Sequence, residues 1–440
     1  MSEYQDPRTT IAKLPMSRLQ IGIVICCMAL NAMDGFDVLA ISFAAPGISD
    51  EWGINRAVLG RLLSMELIGM AVGSILMGNL ADRFGRRPII LTCLSIMAGG
   101  MFLSAIADNI TMLSAVRLLT GLGIGGMLSA TSAMVAEFSN ERRHGLTTIL
   151  NIAGYAIGAI VGGTVASILL AKTGEWRSVF LFGGTMTLML LPIAFLFLPE
   201  SIHSQISRRR PNALQAINKT LARMKIAAID RLPEPSIGVE KPSILSLFTQ
   251  RYAGITLVLT IAYFAQIMAF YFIQKWTPKI VVDLGFEASS AGSVLVFANI
   301  GSLLGALTLG LASSRINMRY AVMFSMVMAF IFFGLYGMGH KDLSHLSLFA
   351  AITIFFTNAG VVGMYPILAK AFPAELRASG TGFVIGMGRG GAALGPIIAG
   401  SLFQGGSSLL VVSLVMGAGT LVAATMIFIL PFASRRANAA

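Results

Sequence analysis

Apolar residues run along this chain in continuous stretches of about 20, the length a helix needs to cross a hydrocarbon core. Twelve stretches stand out, at approximately residues 19–45, 57–79, 88–107, 110–136, 145–171, 178–198, 250–274, 288–312, 318–338, 344–368, 376–403 and 407–431. They are unbroken rather than alternating, which excludes a β-barrel. The pattern predicts an all-α membrane protein with twelve transmembrane helices.

One long polar segment interrupts the series. It contains the triplet Arg208-Arg209-Arg210, an amphipathic stretch from Asn212 to Ile229, and Pro233, Pro235 and Pro242. The division is then a cytoplasmic N-terminal segment at 1–18, a six-helix bundle at 19–198, a cytoplasmic linker at 199–249, a second six-helix bundle at 250–432 and a cytoplasmic tail at 433–440. The linker's basic stretch is expected to rest on anionic headgroups. The halves echo each other. Glu141-Arg142-Arg143-His144-Gly145 precedes one Gly-rich helix and Glu375-Leu376-Arg377-Ala378-Ser379-Gly380 precedes another. Two pseudo-symmetric bundles with a substrate site between them near the midplane are a known transporter plan.

Composition agrees with lipid as the solvent, since 55% of the 440 residues are apolar and only 12% charged. The 47 glycines suit helices that must pack closely without a hydrophobic force between them. A net charge of +12 invites a nucleic-acid partner, but topology accounts for it better. With the N-terminus in the cytoplasm, 23 of the 32 Lys and Arg residues fall inside and 7 fall outside, among them Arg56, Lys275 and Lys279. Such a bias places both termini in the cytoplasm. Only Arg117 and Arg389 remain within spans. The first run lacks a small-residue cleavage site and reads as a retained helix. Cys26, Cys27 and Cys93 lie in apolar spans without metal-ligand spacing and read as reduced packing residues.

Between the second and third runs stands Gly78-Asn79-Leu80-Ala81-Asp82-Arg83-Phe84-Gly85-Arg86-Arg87. Gly85 permits a tight turn, Gly78 lets a neighbouring helix approach, and Asp82 can pair with a cation or a helix N-terminus. The loop resembles the signature of the major facilitator superfamily, which implies a gating role for Gly78, Asp82, Arg83, Gly85, Arg86 and Arg87. The second-half counterpart has Ser313 and Ser314 where an acid is expected, so the gate is asymmetric. Glu137, Glu141, Arg142, Arg143, Glu375 and Arg377 resemble the family's inner charge network, whose role is to bias one conformation.

Asp34 and Asp37 fall inside the first run, three residues apart and so on one helix face. A carboxylate in the bilayer costs at least about 2.5 kcal/mol on insertion scales, so a pair argues for an aqueous pathway. Two like charges in low dielectric also suit a proton carrier. The alternative is a pair held at a helix break or by an arginine. The Asp34-Gly35-Phe36-Asp37 run, followed by Ala40 to Pro46 and then Trp52-Gly53, resembles helix 1 of the aromatic acid:proton symporter family. The resemblance implies import of benzoate-like acids with protons, Asp34 and Asp37 being essential.

Arg389, deep in the eleventh run, is the natural anchor for an organic acid, because a guanidinium forks onto a carboxylate. The family resemblance also places an important arginine here. The competing reading is a permanent partner for Asp34 or Asp37. Arg117 is expected either to serve Asp34, Asp37 or the substrate, or to snorkel to the outer interface. Phe36, Tyr155, Tyr263, Phe264, Gln266 and Tyr271 are candidates for the rest of the pocket. Glu66 is a further intramembrane acid whose helical face the sequence leaves open.

These readings converge on a proton-coupled symporter importing a small organic acid, benzoate-like by resemblance, by alternating access. No cofactor is expected beyond protons as the coupling ion. The partners are the acid and the lipid bilayer, without nucleic acid, and the protein is expected to be a monomer in a bacterial cell inner membrane. A drug:proton antiporter on the same fold is weakened because Gly154 to Gly163 lacks the proline of a Gly-Pro motif. A non-transporting receptor would need a signalling module, and no catalytic constellation suggests an enzyme.

Overall fold

The computed structural model describes residues 6–209, 211–233, 244–312, 316–373 and 375–439. Arg210, Pro235, Pro242, Ser313 and Ser314 lie outside the described residues. Short α1 (Pro7–Lys13) leads into a first set of α2 (Arg18–Glu51), α3 (Arg56–Phe84), α4 (Arg86–Ala105), α5 (Ile110–Phe138), α6 (His144–Thr173) and α7 (Arg177–Phe197). The linker contributes α8 (Ile202–Arg208) and α9 (Ala213–Arg223). The second set is α10 (Ala253–Asp283), α11 (Ala288–Ala312), α12 (Met318–Gly337), α13 (Leu343–Ala371), α14 (Arg377–Gln404) and α15 (Leu409–Ala439). Among the described residues, 12 helices are long and apolar enough to cross a membrane.

Local chemistry starts these helices where the polar breaks fall. Ser17 and Gln20 form a reciprocal capping box at the start of α2, and Asn55, Asn109 and Asp342 cap α3, α5 and α13 through their side chains. Gly174, at φ 68°, ends α6 in the left-handed region. Pro46, Pro278, Pro366 and Pro396 lie inside helices, as membrane spans tolerate when neighbouring groups serve the freed carbonyls. The Pro396 carbonyl, for example, accepts from Trp276 Nε1 at 3.2 Å.

Two helices outrun their hydropathy. α2 continues to Glu51, and α10 continues to Asp283. The second extension corrects the topology reading, because Lys275 is not at an outer boundary but fully buried within α10. The linker differs too. Ile202, Ile206, Ile217 and Leu221 are buried in the same apolar core as α2 and α5, so the amphipathic face of α9 docks on protein.

Each set of six packs as its own bundle, and four helices carry most of the contact between bundles: α3 with α14, and α6 with α11. α3 and α14 meet near the end remote from the chain termini. There a Cβ on Gly60 would stand 2.4 Å from the Pro396 carbonyl oxygen, so only glycine permits the approach. Likewise a Cβ on Gly292 would stand 2.1 Å from Ser167 Oγ. Eighteen residues make five turns and return to the same helix face. Gly78 stands that far from Gly60, Gly382 from Gly400, and Gly145 from Gly163. A Cβ on Gly78, Gly145 or Gly382 would meet nothing within 4 Å. The bundles are therefore closed at the far end and parted at the end bearing the termini. The close neighbour expected at Gly78 is absent in this state.

Candidate functional site

Asp34 and Asp37 are 1% and 0% exposed, on the part of α2 that crosses the first bundle's centre. One turn earlier Asn31 ties α2 to its neighbours, donating to the Asn151 carbonyl of α6 at 3.1 Å and accepting from Thr131 Oγ of α5 at 3.0 Å. α2 and α6 can approach because a Cβ on Gly158 would fall 1.8 Å from the Ala32 carbonyl oxygen. None of the four carboxylate oxygens of Asp34 and Asp37 has a hydrogen-bond partner among the described residues. Buried polar atoms are rarely left so, and a functional role is one of the few explanations for an unsatisfied set.

The charged centre beside them is built around Glu66. From α5, Arg117 approaches the Glu66 carboxylate at 3.4 Å. From α10, Lys275 reaches its other oxygen at 3.1 Å and also donates to the Val38 carbonyl. All three side chains are fully buried. Arg117 is further held by Ser104 Oγ and Thr120 Oγ, each at 3.1 Å, and lies over the Phe180 ring at 5.0 Å. Two expectations are thereby corrected. Arg117 neither snorkels nor pairs directly with Asp34 or Asp37, because its fork is spent on Glu66 and two hydroxyls. Asp37 lies within electrostatic reach of both Arg117 and Glu66, and Asp34 lies beside Asp37.

Arg389 is half-buried on α14, and no described residue forms a hydrogen bond or ion pair with it. It is not the permanent partner of either aspartate. Tyr263 and Tyr271 of α10 lie within its electrostatic reach. Tyr263 is seated over Gly388, where a Cβ would stand 2.2 Å from its ring, and its hydroxyl is 3.3 Å from that of Tyr365. Tyr271 faces Tyr155 of α6, which in turn lies near Asp34. A path of phenol groups thus joins the free guanidinium of one bundle to the unpartnered acids of the other.

The remaining candidates separate. Phe36 is 0% exposed, edge-on to Phe182 at 5.5 Å and wedged over Gly162, so it is a packing residue of the first bundle. Phe264 packs against Gly391. Gln266 donates to the Thr357 carbonyl at 2.8 Å within the second bundle, while its Oε1 has no partner among the described residues. Lys275 and Tyr365 escaped the sequence reading. The signal for Lys275 was available, since the apolar run resumes immediately after Lys279 and continues to Val282.

At the end bearing the termini, Gly85 adopts φ 110° and so makes the turn into α4. Asp82 pairs with Arg86 at 2.5 Å, and Arg86 also approaches Glu137 at 3.4 Å. The Glu200 carboxylate accepts from the Arg86 backbone N–H at 2.8 Å, capping the start of α4. Glu137 is bonded to Ser201, Arg83 lies over Phe84, and Arg87 Nη2 donates to the Phe195 carbonyl at 2.6 Å. Arg142, Glu375 and Arg377 are exposed and form no ion pair among the described residues. At this end, among the described residues, the charges of the first bundle therefore join one another and the linker, not the second bundle.

The family model of the Major Facilitator Superfamily matches this chain over residues 25–338 and 259–440. The 4-hydroxybenzoate transporter PcaK of Pseudomonas putida is 29% identical over 89% of this chain and 88% of its own length. A gallate transporter of the same organism is 28% identical over 99% and 97%, and the 3-(3-hydroxy-phenyl)propionate transporter of Escherichia coli (strain K12) is 28% identical over 94% of each. Among solved structures, the nucleoside transporter NupG superposes with a TM-score of 0.71 at 14% identity, covering 94% of this chain and 100% of that one. The xylose transporter XylE of E. coli, in a partially occluded inward open conformation, gives 0.71 at 15%, covering 94% and 98%. The matched family model, the twelve spans and the two-bundle fold agree: this chain belongs to the Major Facilitator Superfamily.

Proposed function

We propose that this protein imports a hydroxylated aromatic carboxylic acid together with a proton, across a bacterial inner membrane with both termini in the cytoplasm. The observation that carries this reading is a division of labour. Asp34 and Asp37, buried without partners among the described residues, stand in one bundle, and Arg389, which pairs with no described anion, stands in the other. The acid's carboxylate settles on Arg389, its ring lies among Tyr155, Tyr263, Tyr271 and Tyr365, and a proton is taken by the aspartate pair. The relatives' named substrates, 4-hydroxybenzoate, gallate and 3-(3-hydroxyphenyl)propionate, share a carboxylate and a phenolic hydroxyl, the two groups this site is equipped to meet.

Charge balance explains why acid and proton travel together. Three acids, Asp34, Asp37 and Glu66, stand against three cations, Arg117, Lys275 and Arg389. One anion and one proton added together leave that balance unchanged, whereas an anion alone must carry net charge through a closed, low-dielectric interior. Two sets of glycines five turns apart support an alternating-access reading. The far set is in contact while the other is parted, which with cytoplasmic termini corresponds to a state open to the cytoplasm. The test is uptake of labelled 4-hydroxybenzoate into proteoliposomes. Accumulation must follow an imposed proton gradient and stop with an uncoupler; uphill accumulation unaffected by the uncoupler overturns the proposal.

A further inference from the structure

Lys275 is the buried charge to which the transport reading gives no task beyond charge balance. It belongs to α10 of the second bundle, yet its ammonium is inserted into the first bundle, on Glu66 at 3.1 Å and on the Val38 carbonyl. Among the described residues, two ion pairs cross between the bundles. One is Arg56–Asp283 at 3.0 Å, whose side chains are 44% and 27% exposed. The other is Lys275–Glu66, whose side chains are 0% exposed.

These two pairs differ in kind. An exposed pair gains little because water solvates its charges about as well apart as together. A buried pair, once separated, leaves ions in an apolar medium unless water or another charge replaces the partner. We propose that Lys275 is a state-dependent clasp: its bonds to Glu66 and Val38 hold the far side of the transporter shut, and they break as that side opens to admit the acid. This deepens the alternating-access reading above and depends on it.

Three features fit a clasp meant to release rather than a fixed strut. The head is a compact ammonium on a flexible four-carbon stem, which withdraws without unstacking a planar fork. Glu66 keeps Arg117 at 3.4 Å when Lys275 leaves, so the first bundle is never left with that acid uncompensated. The carbonyl it grips belongs to Val38, the residue after Asp37, so the far closure is fastened to the turn of α2 that carries the proton site. Release exposes a cation to the opened far side, where an arriving carboxylate is attracted to it.

Spin labels at Asp108→Cys and Glu287→Cys, in far-side loops of the two bundles and in a background lacking Cys26, Cys27 and Cys93, report the opening by pulsed dipolar spectroscopy. The measurement uses full-length protein in nanodiscs without any substrate, so an error about the transported acid leaves it intact. Lys275→Gln is expected to raise the population of long, far-open distances by about tenfold or more. Lys275→Arg keeps the charge and is expected not to raise that population, which separates charge from mere loss of the side chain. Arg56→Gln, at the exposed pair, is expected to change it by no more than about twofold. Should Lys275→Gln fail to fold, Glu66→Asp draws the carboxylate back by one methylene and is expected to give a partial shift. An unchanged distribution in Lys275→Gln, or in Glu66→Asp where that variant replaces it, overturns the proposal. So does a larger shift from Arg56→Gln than from Lys275→Gln.

Discussion

Arg389 gives the sharpest test of the substrate site, because its variants separate binding from folding. The guanidinium forms no ion pair with any described residue, so Arg389→Gln breaks no internal contact of that kind. Its thermal midpoint in detergent should stay with that of the unmodified protein. The loss falls on the ligand. A charge-assisted hydrogen bond to an ionised group is worth about 1.5–3 kcal/mol. At 1.4 kcal/mol per tenfold, this corresponds to roughly 10- to 150-fold weaker binding of an aromatic carboxylate. Arg389→Lys keeps the charge but not the two-pronged geometry, and should fall between. Equilibrium binding of labelled 4-hydroxybenzoate to purified protein measures all three, and the uncharged 4-hydroxybenzamide provides the control, because its weaker binding should not depend on residue 389. Unchanged carboxylate affinity in Arg389→Gln, with the protein folded, would refute the assignment of the anchor.

Other outcomes follow from the same geometry. Asp34→Asn and Asp37→Asn remove carboxylates that have no partners among the described residues, so thermal stability should not fall; both should lose uphill accumulation while keeping substrate exchange, as counterflow in proteoliposomes will register. Glu66→Gln leaves Arg117 and Lys275 buried without their shared carboxylate and should cost about 3–5 kcal/mol, visible as a lowered unfolding temperature. Gly60→Leu places bulk against Pro396 and should trap the far side open, whereas Gly382→Leu should leave the described state intact and block its opposite; dipolar distances across each end will distinguish them.

Much of this was written in the chain. Run length gave the helices, the basic residues gave the orientation argument, and two aspartates three positions apart pointed to the face of α2 that carries the buried carboxylates. Pairing across space was harder to read. Lys275 looked like the end of a hydrophobic run because a charge ordinarily ends one; Glu66, 209 positions earlier, and the Val38 carbonyl make its burial tolerable. Arg117 was visible as an intramembrane charge, but its choice of Glu66 over Asp37 depends on how α3 and α5 pack. Phe36 illustrates the opposite error. It stands between the two aspartates in sequence, and its ring and the Asp37 carboxylate both approach Gly183, but the ring is spent on filling the hole left by Gly162. Gly78 was legible as a close-contact residue, but sequence does not state in which conformation the contact is made.

The most direct test of the central claim records acid and proton movement together in one population of proteoliposomes. A gradient of two pH units stores about 2.7 kcal/mol per proton. With one proton carried per monocarboxylate, uptake should reach about 100-fold accumulation, be matched proton for acid by an interior pH dye, and ignore an imposed membrane potential. Acid uptake without proton uptake, or accumulation set by the potential rather than the pH difference, would contradict the account.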